Sequence, residues 1–177
     1  MTHTSDDGRT GATYSVKEEL LAHYDREHAT TLRVLRAYPT GELDLRPHPK
    51  CKTAKELAWV FVLESGLGTA VFRNEFAKLA GGETPGPPES WEALLEGLES
   101  GYRSFRELIA ATPEADLHDR VQFFTAPGTI GEITRIEWLR FLLHDQIHHR
   151  GQFSIYLRMA GGKVPSIYGP TADEPWM

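Results

Sequence analysis

Leu142-Leu143-His144-Asp145-Gln146-Ile147-His148-His149-Arg150-Gly151-Gln152 falls inside a helical pattern that starts at Glu132 and runs to about Met159, yet it sets polar groups where apolar ones should continue. Two inward stripes are open. One is Phe141, His144, His148, Gly151 and Ile155; the other, about a third of a turn away, is Leu142, Asp145, His149, Gln152 and Tyr156. Each contains an i, i+4 pair of metal-ligand types, which lies on one helix face where two side chains can converge on an ion. Three histidines and an aspartate within six positions, on a helix too apolar to be wholly exposed, set a metal or polar site against the plainer reading of hydrogen-bonded core or rim histidines.

Outward from this helix the chain repeats the same period. Leu21, Tyr24, His28, Thr31, Leu35 and Tyr38 predict a first helix from Ser15, which Pro39 and Gly41 end. Leu57, Val60, Glu64, Leu67 and Val71 mark a second over Thr53 to Leu79, with Thr53 and Glu56 as a candidate capping box. Gly66 and Gly68 weaken that helix and suggest close approach of a neighbour, or a local irregularity. After a Gly/Pro-rich loop, Gly81 to Pro88, a third stripe of Trp91, Leu95, Leu98, Tyr102, Phe105 and Ile109 ends near Thr112. Residues 113–131 have no helical period; Val121, Phe123 and Phe124 read as a short extended piece within a long crossover. Gly161-Gly162 stop the fourth helix, and a tail from Val164 is expected to be pinned to the body by Ile167, Tyr168 and Trp176.

Together these segments predict an all-α fold: an antiparallel four-helix bundle, two links short and a long crossover between helices three and four. One domain is expected over residues 15–177, preceded by a flexible tail over residues 1–14. The length, 177 residues, suits one domain with a sizeable core, and 40% apolar against 25% charged residues is an ordinary globular balance. A net charge of -6 disfavours nucleic-acid phosphates and anionic lipid as partners. Cys51 is the single cysteine, so no intrachain disulfide is available and a reducing cytoplasm is the expected compartment. The polar start of the chain has neither a signal peptide's apolar stretch nor a membrane span.

Glu64 is a second clue, because the spacing that makes Leu57, Val60, Leu67 and Val71 a core seam also aims this carboxylate inward. Desolvating it costs several kcal/mol unless it is paired, coordinated or protonated. A salt bridge to an arginine, or a hydrated position near the bundle end, is the plainer alternative. His28 lies on the seam of helix one and reads as a hydrogen-bonded core residue. Cys51, between Lys50 and Lys52, sits where cations lower a thiol pKa, yet a lone loop cysteine is usually incidental. Paired CxxC, Walker, GxGxxG and GxSxG patterns are absent.

The segments His148-His149-Arg150-Gly151-Gln152, Tyr156-Leu157-Arg158 and Val164-Pro165-Ser166-Ile167-Tyr168-Gly169-Pro170, together with Arg46-Pro47-His48 leading into Thr53-Ala54-Lys55-Glu56-Leu57-Ala58-Trp59, closely resemble proteins of the DinB/YfiT-like superfamily over nearly the whole chain. That resemblance implies a four-helix bundle, a homodimer, and a divalent metal held by one histidine of helix two and an HxxxH pair of helix four. Here the helix-two histidine falls on Val60, and the helix-four pair on Asp145 and His149. Three outcomes stay open: Glu64 replaces the missing ligand and joins Asp145 and His149; Glu64 joins the literal pair His144 and His148; or the metal site has decayed.

By the same resemblance, relatives include bacillithiol-using thiol transferases and a mycothiol-dependent isomerase. The implied function is that of a metal-dependent transferase or hydrolase acting on a small-molecule substrate, with thiol transfer to an electrophile in stress response or detoxification. Zinc, nickel or manganese and a low-molecular-weight thiol are the implied cofactors. Whichever of His144 and His148 is not a ligand is the expected catalytic base. The alternative is a non-catalytic stress protein that binds a small ligand or metal through a degenerate site.

Overall fold

A computed structural model describes residues 15–79 and 82–177; the expected N-terminal tail lies outside the described residues. The chain forms four helices, α1 (Val16–Arg36), α2 (Ala54–Phe72), α3 (Trp91–Ala111) and α4 (Arg135–Met159), with a hairpin of β1 (Arg120–Ala126) and β2 (Thr129–Thr134) before α4. Among the described residues no helix is long and apolar enough to cross a membrane.

Local chemistry sets the helix starts. The Ser15 hydroxyl accepts from the Glu18 amide and the Ser90 hydroxyl from the Ala93 amide. The Thr53–Glu56 capping box forms in both directions, and a second, Thr134 with Glu137, opens α4. That second box corrects the expected start of α4: the residues from Glu132 to Thr134 belong to β2, which pairs antiparallel with β1 through Val121 opposite Ile133 and Phe123 opposite Gly131. The single extended piece is therefore a hairpin, closed at Pro127-Gly128, where Gly128 takes φ 70.

The second helix is shorter than its period suggested. Asn74 adopts φ 57, a left-handed conformation asparagine tolerates better than most residues, and its side chain accepts from the Gln122 amide 2.9 Å away. This bond ties the end of α2 to β1. Beyond it Phe76–Leu79 continues only as a 3-10 turn.

Each of α1 and α2 packs on both α3 and α4, so α1 and α2 lie on a diagonal of the bundle. The links between successive helices are all long rather than two being short: 37–53 and 112–134 join diagonal helices, which a tight turn cannot bridge, and 73–90 returns along the bundle because the adjacent α2 and α3 run in the same direction. Two apolar clusters fill the bundle, one around Leu35, Phe61, Trp91, Phe153 and Leu157, the other around Val71, Phe72, Phe105, Trp138 and Leu142. α1 and α4 enter the second cluster first and then the first, whereas α2 and α3 run the other way. Each large side chain so buried contributes roughly 1.5–3 kcal/mol.

Between the clusters lies a polar layer. The buried polar and charged residues are Glu27, Thr31, Glu64, Ser65, Gln146 and Arg150, and on α1, α2 and α4 each falls between the last residue of one cluster and the first of the other. Gly68 borders the layer and explains the close approach: an added Cβ would meet Leu142 Cδ2 at 2.9 Å, and the Gly68 carbonyl accepts from Trp138 Nε1 at 3.1 Å. Gly66 has no neighbour within 4 Å of such a Cβ, so the expectation fails there.

The C-terminal tail is anchored by Tyr168, whose hydroxyl donates to Glu27 Oε2 at 2.8 Å and accepts from Arg150 at 2.7 Å. Ile167 packs against the first cluster. Trp176 does not reach the body; it is 64% exposed and its Nε1 donates to Ser166 Oγ within the tail.

Candidate metal centre

Glu64 stands on α2 one turn after Val60, and Asp145 and His149 stand one turn apart on the neighbouring face of α4. One ligand-type atom from each of the three lies within 4.8 Å of the others. His149 Nε2 is 3.5 Å from Glu64 Oε1 and 3.7 Å from Asp145 Oδ2. Glu64 is only 4% exposed, and neither of its carboxylate oxygens has a well-formed hydrogen bond, the Gln146 amide and the Asp145 carboxyl approaching them only loosely. Burial, and then the charge of Asp145, push its carboxyl up to about 9, against a smaller opposing effect of the Gln146 amide.

The histidine tautomer follows from its other neighbour. His149 Nδ1 lies 3.2 Å from Gln152 Oε1, and with the amide in this orientation, where Oε1 can only accept, Nδ1 carries the proton. Gln152 Nε2 in turn donates to His148 Nε2 at 2.9 Å. His149 Nε2 therefore turns a lone pair toward two carboxylates. Three acceptors around one space require a positive charge between them, either a proton or a metal ion.

The group borders a cleft of about 730 Å³ whose lining includes Val60, Leu63, Leu67 and Phe76 beside Glu64 and Asp145. His149 lines a separate cleft, with Cys51, Leu57 and Tyr156. The three residues thus join a buried floor to two openings.

The model of the DinB family matches residues 9–176. This chain belongs to the DinB family. YrdA of Bacillus subtilis (strain 168) is 24% identical over 162 residues, which cover 91% of this chain and 93% of that protein. A DinB-like protein of Bacillus cereus ATCC 10987 superposes with a TM-score of 0.72 at 25% identity, covering 85% of this chain and 97% of that one. For a DinB-like protein of Bacillus subtilis the TM-score is 0.67 at 15% identity, over 90% and 99% of the two chains.

Within this DinB fold the residues singled out in the sequence separate into two sets. Glu64, Asp145 and His149 come together. His144 and His148 are exposed, on a stripe with Phe141 and Ile155, which are 48% and 60% exposed. Their set with Glu64 is not assembled, because that face of α4 turns to solvent. His28 is half-buried and held by stacking, its ring 3.6 Å from that of Tyr102 and nearly parallel. Burial pushes its imidazole down to about 4, against the pull of Glu99 and Asp25.

Neither of the two stripes proposed for α4 is its most buried one. That is a third, Leu139, Leu142, Gln146, Arg150, Phe153 and Leu157, and it places Arg150 and Gln146 in the polar layer. The Arg150 partners, Glu27 and Tyr168, lie far away in sequence; only the spacing of Arg150 from Phe153 and Leu157 signalled its burial.

Proposed function

We propose that Glu64, Asp145 and His149 hold a divalent metal ion, zinc, nickel or manganese, and that the protein is a metal-dependent enzyme acting on a small molecule in the adjoining cleft. The observation that carries this reading is the buried Glu64 carboxylate, with neither oxygen in a well-formed hydrogen bond and with a second carboxylate and a histidine nitrogen beside it. Two oxygens and one nitrogen suit a first-row divalent ion and leave coordination positions free, as catalytic sites do.

When bound, such an ion supplies Lewis acidity that lowers the pKa of a thiol or water. The residues divide the remaining work. Glu64 releases its proton on loading and contributes charge from the floor. Gln152 holds the His149 tautomer and ring. Val60, Leu63 and Leu67 give the cleft an apolar wall that accommodates an electrophilic small molecule and limits water. Of the two expected bases, His148 has its ring centroid 5.4 Å from that of His149, and its Nε2, which accepts from Gln152, would have to exchange that bond for a substrate proton. Transfer of a low-molecular-weight thiol to an electrophile, in stress response or detoxification, is the reaction class proposed.

The test is elemental analysis of tag-free protein beside Glu64→Ala, His149→Ala and His144→Ala. Near-stoichiometric metal in the parent and in His144→Ala, lost in the other two, supports the centre and calls for a screen of thiol consumption with model electrophiles. Turnover abolished by chelator supports the enzyme, and saturable binding without turnover a binding protein. No metal after incubation with zinc, nickel and manganese would sink the reading.

A further inference from the structure

The cleft beside Glu64 does not end at Trp59. Trp59, Val60, Leu63, Thr84 and Pro85 also form one wall of a second cavity, of about 310 Å³, whose other residues include Arg46, Lys50 and Lys52. A bond of 2.7 Å from Trp59 Nε1 to the Pro85 carbonyl holds the shared wall. Three cations within seven positions stand out in a chain of net charge -6. One acid, Glu56, faces them: it pairs with Arg46 at 3.4 Å while its carboxylate also caps Thr53. Among the described residues Lys50 and Lys52 have no ion-pair partner, so the cavity keeps an excess of positive charge.

The segment that carries the lysines is held in place. The Lys50 amide donates to His48 Nδ1 at 3.1 Å, the Cys51 amide to the His48 carbonyl at 2.8 Å, and the Tyr156 hydroxyl to the Lys52 carbonyl at 2.9 Å. Both lysines also border the opening that contains His149. From Glu56 to Glu64 the helix rises about 12 Å at 1.5 Å per residue. The combined trough therefore has an acidic centre at one end, an apolar middle and a cationic end.

We infer that this trough takes an elongated small molecule with an apolar body and an anionic oxygen head group, carboxylate or phosphate, seated at Lys50 and Lys52. The inference rests on the proposed function for what happens at the other end, but not for the binding preference itself.

The test is calorimetric titration at low ionic strength with decanoate, decyl phosphate, 1-decanol and decylammonium. It uses metal-treated and chelator-treated protein, the double variant Lys50→Ala/Lys52→Ala, and Glu64→Ala. The two anions are expected to bind about tenfold more tightly than 1-decanol, with decylammonium weakest and the advantage shrinking as salt screens it. The double lysine variant should lose the advantage while its circular dichroism and metal content stay unchanged. The tighter of the two anions then names the head group. Equal affinity for decanoate and 1-decanol overturns the inference. So does an advantage that survives in the lysine variant but vanishes with chelator or in Glu64→Ala, because the anion would then sit at the acidic centre. An anion preference retained in protein that never takes up metal would leave this inference standing and remove the metal reading alone.

Discussion

Arg150 Nη1 lies 2.6 Å from Glu27 Oε2, and both residues are closed to solvent, at 1% and 4% exposure. The pair joins α4 to α1 in the polar layer, and Tyr168 from the C-terminal tail closes it with one hydrogen bond to each partner. Removing one charge strands the other. Arg150→Met should cost about 3–5 kcal/mol in urea unfolding, whereas Arg150→Met with Glu27→Met should recover much of that loss. Tyr168→Phe, which removes one hydroxyl between the two charges, should cost about 1–3 kcal/mol. A single Arg150→Met variant as stable as the parent would refute the account.

Above the ordinary histidine range, where His28 no longer titrates, Glu64 should dominate the pH dependence of the metal-free protein. Its folded carboxyl stands at about 9, above the ordinary 4.5, so the folded state holds a proton the unfolded chain has lost. Stability should fall as pH rises through that window, at up to about 1.4 kcal/mol per pH unit. Glu64→Gln should flatten the slope. Metal uptake at neutral pH should release about one proton from this carboxyl, measurable as a buffer-dependent binding enthalpy.

His28 acts on the acid side. Its folded pKa, about 4, is below the ordinary 6.5, so its contribution is present above 6.5 and is lost as pH falls toward 4. His28→Phe keeps a ring against Tyr102 and should remove that part of the acid limb. A thermal-melt series from pH 7 to pH 4 that shows the same slope in both proteins would exclude His28 as the cause.

Gly68 and Gly66 should respond in opposite directions. Gly68→Ala drives a methyl into Leu142 and Phe105 and should cost about 1–3 kcal/mol. Gly66→Ala meets nothing and should gain about 0.4–1 kcal/mol through helix propensity and a less flexible unfolded chain. Differential scanning calorimetry of the two variants checks the pair.

Much of the bundle is local in origin, which is why it was legible. The period of Leu57, Val60, Leu67 and Val71, the capping box of Thr53 with Glu56, and the Gly161 stop act over one or two turns and need no partner. The hairpin was less legible, since β2 is defined by pairing with β1 and its residues Ile133 and Thr134 continue plausibly into a helix. The end of α2 depended likewise on Asn74 finding the Gln122 amide, 48 positions later in the chain.

At the site, the sequence alone determined that α4 carries two ligand-type pairs and that Glu64 points inward, and the family resemblance named Asp145 and His149 as one pair. It left the choice between that pair and His144 with His148 open, because adjacent residues on a helix differ by about 100° and a periodic pattern fixes which residues share a face, not where that face points. Only the tertiary structure sets the rotation of α4 about its axis, through Trp138, Leu142, Phe153 and Leu157 seated in the core and Arg150 on Glu27. That rotation turns His144 to water and brings His149 to Glu64.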